Sequence, residues 1–487
     1  MFVSMIGAGL VSAPAFADQT FFTGNLVVSV EGAAFTSNTY ADDAASPLTL
    51  FQYKPTATTS AVYVNSLVLP QTAVGKNLAV SGEYGSSSEG TIQLSGNGQY
   101  LTIMGYGINA ATYNAAPATY GTAQANPAKS TTALAQSGSM TNQTAYTPVA
   151  RVAVTINSAG TVDSSTGLFN VYNDNNPRSV YSADGTSFYV SGQGTSGDAT
   201  GGVFYATKGS SSATAITGLD TKTAATSTTA SVASAQDTRI VQVVNGKLYV
   251  SADSKQGSGN NRDFIGTLGT TGTLPTTLAN GGAGATQLTG FGASTAGLLN
   301  ITAANTNGVN AAGKTVNLSP EGFFFANAGT LYVADSGIPK NASGASTLGD
   351  GGLQKWSNTK SDGSGTWTLN YTLSSGLNLV ANSAAAGSTG LLGLTGQVVG
   401  GQVQLFATNY TIGDTDPTYL FGISDTLAAT TKDNSETFAT LATAPADSNF
   451  KGVSFAPTTI SAVPEPSTYA MFAPGLAALF MLRRRRV

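Results

Sequence analysis

Gly246-Lys247-Leu248-Tyr249-Val250 returns later in the chain as Gly329-Thr330-Leu331-Tyr332-Val333, and an aspartate, Asp253 or Asp335, follows each copy. A glycine leading into alternating apolar residues describes a tight turn that feeds a strand. A second piece surrounds the first. Leu94-Ser95-Gly96-Asn97-Gly98-Gln99-Tyr100, Tyr181-Ser182-Ala183-Asp184-Gly185-Thr186-Ser187-Phe188 and Leu318-Ser319-Pro320-Glu321-Gly322-Phe323-Phe324 share Ser-x-x-Gly, then an aromatic, then an apolar strand. The serine opens the turn, the glycine takes positive φ, and the aromatics pack between neighbouring sheets. The repeat is degenerate: Ser95 and Ser182 are 87 residues apart, and Tyr249 and Tyr332 are 83 apart.

No long amphipathic helical pattern interrupts residues 20–460. Short apolar or alternating segments broken by glycine and serine clusters predict strands at Asn25–Val30, Leu48–Tyr53, Ala61–Leu69, Gln99–Met104, Val149–Ile156, Ser187–Ser191 and Gly202–Ala206. They continue at Arg239–Val244, Lys247–Ala252, Gly322–Ala326, Thr330–Ala334, Trp367–Leu373, Gln402–Ala407 and Thr418–Ile423. Ile108–Pro148 and Gly257–Gly313, rich in Ala, Gly, Ser, Thr and Asn, read as long loops. The S-x-D-G and L-Y-V pieces resemble those of β-propellers of the YVTN or gluconolactonase-like kind, whose folds are rings of four-stranded blades. The resemblance implies an all-β body of six or seven blades. A blade takes ~40–50 residues, so each long gap is expected to hold two. Lys451–Ala456 would complete the blade begun near Asn25–Val30 and close the ring. A β-solenoid or β-helix also tolerates this composition, but its 20–30-residue period and stacked asparagine ladders are not found.

Composition narrows the chemistry. Charged residues make up 9% of the chain, against about 25% in ordinary globular proteins. Polarity is carried instead by hydroxyls, amides and 58 glycines, as in secreted β-rich proteins. The chain has no cysteine, so no disulfide framework supports it and stability must come from a large core. It also has no histidine, which removes the commonest general base and the commonest ligand for zinc, copper and iron. A Ser-His-Asp hydrolase and a Cys-His protease are excluded. No cofactor or metal is expected, and the chain reads as a non-enzyme.

The two ends carry an address. Met1 to Phe16 are small and apolar, and Ala15-Phe16-Ala17 before Asp18 has the form of a signal-peptidase site, with cleavage specified by Ala15 and Ala17. No Lys or Arg precedes the apolar stretch, which fits a start assigned too late. At the other end stand Val463-Pro464-Glu465-Pro466-Ser467-Thr468, an apolar run from Tyr469 to Leu482, and the basic stop Arg483, Arg484, Arg485 and Arg486. Arginines resist translocation and stay cytoplasmic. The run is 14 residues long, which at about 1.5 Å per residue is short of a ~30 Å hydrocarbon core, so the arginines must snorkel. The ordered set resembles the PEP-CTERM signal of Gram-negative bacteria, read by exosortase-type transpeptidases. That implies a chain held transiently at the inner membrane, processed near Pro464, Glu465 and Pro466, and then carried to the cell surface or extracellular matrix. A plain tail anchor is the competing reading. The expected layout is 1–17 signal peptide, 18–460 body, 461–468 linker and motif, and 469–487 transmembrane helix with basic tail.

Without the four tail arginines, 17 basic residues face 25 acidic ones, a balance of about −8 that argues against nucleic acid as a partner. Exopolysaccharide is the partner that the address suggests, in a structural or interaction role such as biofilm retention. Within the body, Asn173, Asp174, Asn175 and Asn176 are calcium-type ligands, but they lack the EF-hand spacing and read more plainly as a turn before Pro177. Asp253 and Asp335 could line a channel mouth, though capping a turn is the plainer role. Trp356, Trp367 and Tyr371 could stack on sugar rings, yet aromatics at strand spacing more often fill a core. A glycan- or peptide-binding module is the alternative function. A carbohydrate hydrolase would need two carboxylates ~5–10 Å apart on the channel.

Overall fold

The computed structural model describes residues 19–121, 132–195, 199–217, 238–252, 264–279, 285–291, 300–301, 316–317, 319–337, 351–381 and 384–459. Its sheets form a six-blade β-propeller with almost no helix. From the axis outward, blade 1 is Ser448–Phe455, Leu26–Gly32, Thr49–Thr56 and Ser60–Val68. Blade 2 is Ile92–Leu94, Tyr100–Tyr106, Arg151–Asn157 and Val162–Leu168, with the short pair Ala45–Pro47 and Ser81–Glu83 added to it. Blade 3 runs Pro177–Tyr181, Ser187–Gly192, Gly202–Thr207 and Thr214–Ala215. Blade 4 runs Thr238–Val244, Lys247–Ala252, Phe264–Leu268 and Thr286–Gln287. Blade 5 is Pro320–Asn327, Thr330–Asp335, Gly352–Asn358 and Trp367–Leu373. Blade 6 is Ser388–Val399, Gln402–Thr411, Tyr419–Thr426 and Ala439–Thr443.

The ring closes as the sequence suggests. The last strand pairs antiparallel with the first, Leu26 opposite Phe455 and Gly32 opposite Ser448, so both ends of the body share one sheet. Each expected strand overlaps an observed one. Two expectations about spacing fail. The turns at Ser95 and Ser182 join the first and second strands of blades 2 and 3, which are neighbours, so their gap holds one blade and not two. The surplus is the excursion between Tyr106 and Arg151, which carries a short helix at Ala110–Ala115. Gly246 and Gly329 stand at the same place in blades 4 and 5, and again one blade fills the interval. The span 257–313 is not all loop, since Phe264–Leu268 and Thr286–Gln287 complete blade 4.

Turn chemistry explains which Ser-x-x-Gly copies turn. In blade 2 the Ser95 hydroxyl accepts from the backbone N–H of Gln99 (3.2 Å) and Tyr100 (3.0 Å), and Gly98 takes φ +71°. In blade 3 the Gly185 N–H donates to Ser182 Oγ (2.8 Å), with Gly185 at φ +84°. The third copy is no turn: Gly322 lies inside the strand Pro320–Asn327, where a Cβ would come within 3.0 Å of the Leu392 carbonyl oxygen in blade 6. That glycine serves close approach of two inner strands.

The core lies between blades. Inner and second strands are buried on both faces, as Leu26–Gly32 is throughout, whereas the outermost strand Ser60–Val68 is largely exposed. Blades 3, 4 and 5 share a cluster containing Val241, Val250, Phe323, Trp356 and Trp367, in which Trp356 stacks on Phe291 with centroids 4.0 Å apart. The sorting segment, its arginines, the expected transmembrane helix and the signal peptide lie outside the described residues. Among the described residues no helix is long and apolar enough to cross a membrane.

Candidate functional site

Where the inner strands converge they leave a cavity of about 170 Å³ lined by residues such as Ile92, Gln93, Gln242, Phe323, Leu394 and Val453. Its volume is that of a few waters at ~30 Å³ each, below the usual ~300–1,000 Å³ of ligand pockets. No Asp, Glu, Lys or Arg lines it. The facing carboxylates that a hydrolase would need are therefore not on this part of the axis.

Buried ionisable groups lie off the axis; Arg239 and Glu321 pair at 3.5 Å between blades 4 and 5, and two other seams hold the lysines. The first is at the closure. Glu31, Glu83 and Glu89 are all nearly inaccessible. The Glu31 carboxylate faces Lys451 Nζ at 3.6 Å, too long for a hydrogen bond, and neither of its oxygens receives one. Burial pushes its pKa up to about 8 against the pull of Lys451, and Glu89 adds repulsion. Glu89 accepts from the Tyr106 hydroxyl and from Asn176 Nδ2 (2.6 Å), yet burial still raises it to about 7. Burial also pushes Glu83 well up, although its carboxylate takes the Ala135 N–H. Arg151, wholly buried, spends its guanidinium on backbone carbonyls of Val149 (3.0 Å) and Ser137 (2.7 Å) and lies 4.7 Å over the Tyr106 ring.

The second seam joins blades 5 and 6. Lys355 Nζ sits 3.0 Å from Asp425 Oδ2, both side chains without solvent exposure. Tyr332 donates to Asp425 Oδ2 (2.5 Å) and Tyr371 to Oδ1 (2.8 Å). Lys355 also donates to the Thr426 carbonyl (2.6 Å) and to the Tyr371 hydroxyl (3.1 Å). Burial holds its ammonium below the ordinary lysine pKa. Glu436, half-buried beside Asp425, is pushed up to about 7 by burial and by that carboxylate.

The residues singled out from sequence fall elsewhere. Asn173 and Asp174 bond to each other (3.0 Å), Asn173 Oδ1 takes the Ser139 N–H (2.9 Å), and Asn176 reaches Glu89. They form a turn, with Asp174 at φ +51°, and among the described residues no group of three acidic side chains is disposed to hold a metal. Asp335 is buried and accepts from Ser319 N, Gly337 N and Gln354 Nε2, so it caps a turn. Asp253 lies outside the described residues. Trp356, Trp367 and Tyr371 are 0–3% exposed and form no platform. Exposed rings occur instead on blade 1, where Phe35 (62% exposed) stacks on Phe51 at 4.6 Å and meets Tyr63 edge-on at 5.2 Å. Nearby in sequence, Ser37, Asn38 and Tyr40 line a surface cleft of about 700 Å³ together with Asn114 and Pro117.

Sequence reasoning missed Glu31, Glu89, Lys355 and Asp425. A signal was there: in a chain with 9% charge, Glu31 ends the apolar run Leu26-Val27-Val28-Ser29-Val30, and Lys355 precedes Trp356 inside a strand.

Against known proteins, residues 462–486 match the PEP-CTERM protein-sorting motif. The chain carries a PEP-CTERM sorting motif at its C-terminus. That motif implies export, a membrane-held stage and processing by an exosortase. No curated protein matches the chain. Among solved structures, the β-propeller domain of the Trilobed protease from Pyrococcus furiosus is similar at 7% identity, covering 80% of this chain and 99% of that one, with a TM-score of 0.24. Sucrose-6-phosphate hydrolase from Lactobacillus gasseri is similar at 9% identity, covering 84% of this chain and 62% of that one, also at 0.24. Neither bears on this chain's activity.

Proposed function

We propose that this is an exported surface protein whose propeller acts as a structural or interaction module in the extracellular polysaccharide, rather than as an enzyme. The observation that carries the reading is the sorting motif at 462–486, placed just after the strand that closes the ring. Processing there would release the ring whole, since Phe455 is its last strand residue. The sealed seams support the non-enzymatic role, because Glu31, Glu83, Glu89, Lys355 and Asp425 have next to no solvent access for a substrate.

A glycan-binding role is the second reading, favoured by the exposed Phe35 and Tyr63 and by the neighbouring cleft, whose volume suits a small ligand. The two are separated by fractionating host cells that express the wild type and the Glu465→Ala variant, and by measuring retention on the host's own polysaccharide. The proposal expects the wild type at the surface, and the variant retained full length in the membrane. Equal distribution of the two forms would contradict it. Loss of polysaccharide retention in a Phe35→Ser, Tyr63→Ser variant would establish the glycan-binding reading.

A further inference from the structure

The seam between blades 5 and 6 holds the parts of a condensation reaction. Lys355 Nζ is 3.0 Å from Asp425 Oδ2, so the amine is held against the carboxyl group whose carbon it would attack, and neither side chain is exposed. The Tyr332 and Tyr371 hydroxyls bond to the two carboxyl oxygens at 2.5 and 2.8 Å. Donors so placed polarise the carbonyl and would stabilise an oxyanion on it. Both rings also flank the amine, with centroids 5.6 and 5.4 Å from Nζ. Glu436 lies against the pair at the solvent side, and its Oε2 is buried without a hydrogen-bond partner.

Even with these hydrogen bonds, an ion pair out of water recovers little beyond its desolvation cost. We infer that Lys355 and Asp425 are joined by an amide bond that forms spontaneously once blades 5 and 6 dock. The proton passes first from the ammonium to the carboxylate, giving an amine and a carboxylic acid. In the low dielectric of the seam that neutral pair is favoured relative to water. The Nζ lone pair attacks Asp425 Cγ, and the N–C bond forms while the tyrosines hold the developing charge. Glu436 takes a proton from nitrogen and returns it to the departing oxygen, the C–O bond breaks, and one water leaves through its half-exposed side. Nothing is oxidised or reduced.

The product would tie strand Gly352–Asn358 of blade 5 to strand Tyr419–Thr426 of blade 6. A closed loop of that length restricts the unfolded chain as a disulfide does, in a protein with no cysteine.

The test is tryptic mass mapping of the full chain purified from its host. Amidated Lys355 is not cleaved, so the expected species is 341–360 joined to 361–432, one water lighter than the two together. Free 341–355 and 356–360 with 361–432 at full mass would overturn the inference. So would loss of water from 361–432 without linkage, which marks a succinimide. Asp425→Ala abolishes the joined species. Glu436→Gln, which leaves both reactants in place, is expected to lower its yield at least tenfold, and an unchanged yield would refute the proton relay. Should either variant fold poorly, the wild-type map still decides.

Discussion

Among the described residues two buried lysines face two buried carboxylates, and only one of the pairs is satisfied. At the closure, Lys451 stands 3.6 Å from Glu31, whose oxygens receive no hydrogen bond, and Glu89 crowds the same space. Between blades 5 and 6, Lys355 stands 3.0 Å from Asp425, whose oxygens receive two tyrosine hydroxyls. The difference is one of supply. The second seam is furnished by three strands of one blade, each giving one polar side chain, Tyr332, Lys355 and Tyr371. The closing seam joins strands from opposite ends of the chain, and its carboxyls answer burial by keeping their protons. One seam is thereby set to hold, with the titrating Glu436 only at its edge, and the other to respond to pH through wholly buried carboxyls.

The largest break in that comparison comes from Lys355→Met. It removes the nitrogen that Asp425 is held against, as ion pair or as amide, and leaves that carboxylate alone in a dry seam, which costs about 3–5 kcal/mol. Thermal unfolding should drop sharply, and an unchanged midpoint would show that the seam contributes nothing.

Glu31→Gln works at the other seam and in the opposite sense. Folded Glu31 keeps its proton up to about pH 8, whereas the unfolded carboxyl releases it near 4.5. The stability this group contributes is therefore complete below about 4.5 and is lost as pH rises to about 8, at up to ~1.4 kcal/mol per pH unit. Glu89, raised to about 7, adds to the same decline. The amide has no proton to lose, so the variant should lose less stability between pH 5 and pH 8 and be the more stable form at pH 8. Parallel profiles for the two proteins would contradict the assignment.

The smallest effect belongs to a turn. Ser95→Ala removes the hydroxyl that takes two backbone N–H groups, and about 1 kcal/mol should go with it, read in urea unfolding.

The ring itself was legible because turns write themselves in sequence. Gly98 and Gly185 need positive φ, and the strands after them alternate, so local chemistry marks the same place in successive blades. The blade interval was not legible, because the insert between Tyr106 and Arg151 is held by tertiary bonds such as Tyr113 to the Ala133 carbonyl (2.7 Å), which no local pattern announces. The seams were hidden for a related reason. Glu31 meets Lys451 across a chain separation that only the closed ring brings together, and Lys355 meets Asp425 across two blades. Trp356 and Trp367 were ambiguous between platform and core, and their burial against Phe291 and Phe325 settles them as core.

The central claim is that a complete ring is delivered and its tail removed. The most direct measurement is the C-terminal residue of the mature protein, by mass, from the host with and without its exosortase. The account predicts an end near Pro464–Ser467, beyond an intact Ser448–Phe455, in the first strain and the full tail in the second. A mature chain still bearing Arg483–Arg486 in both strains would contradict it.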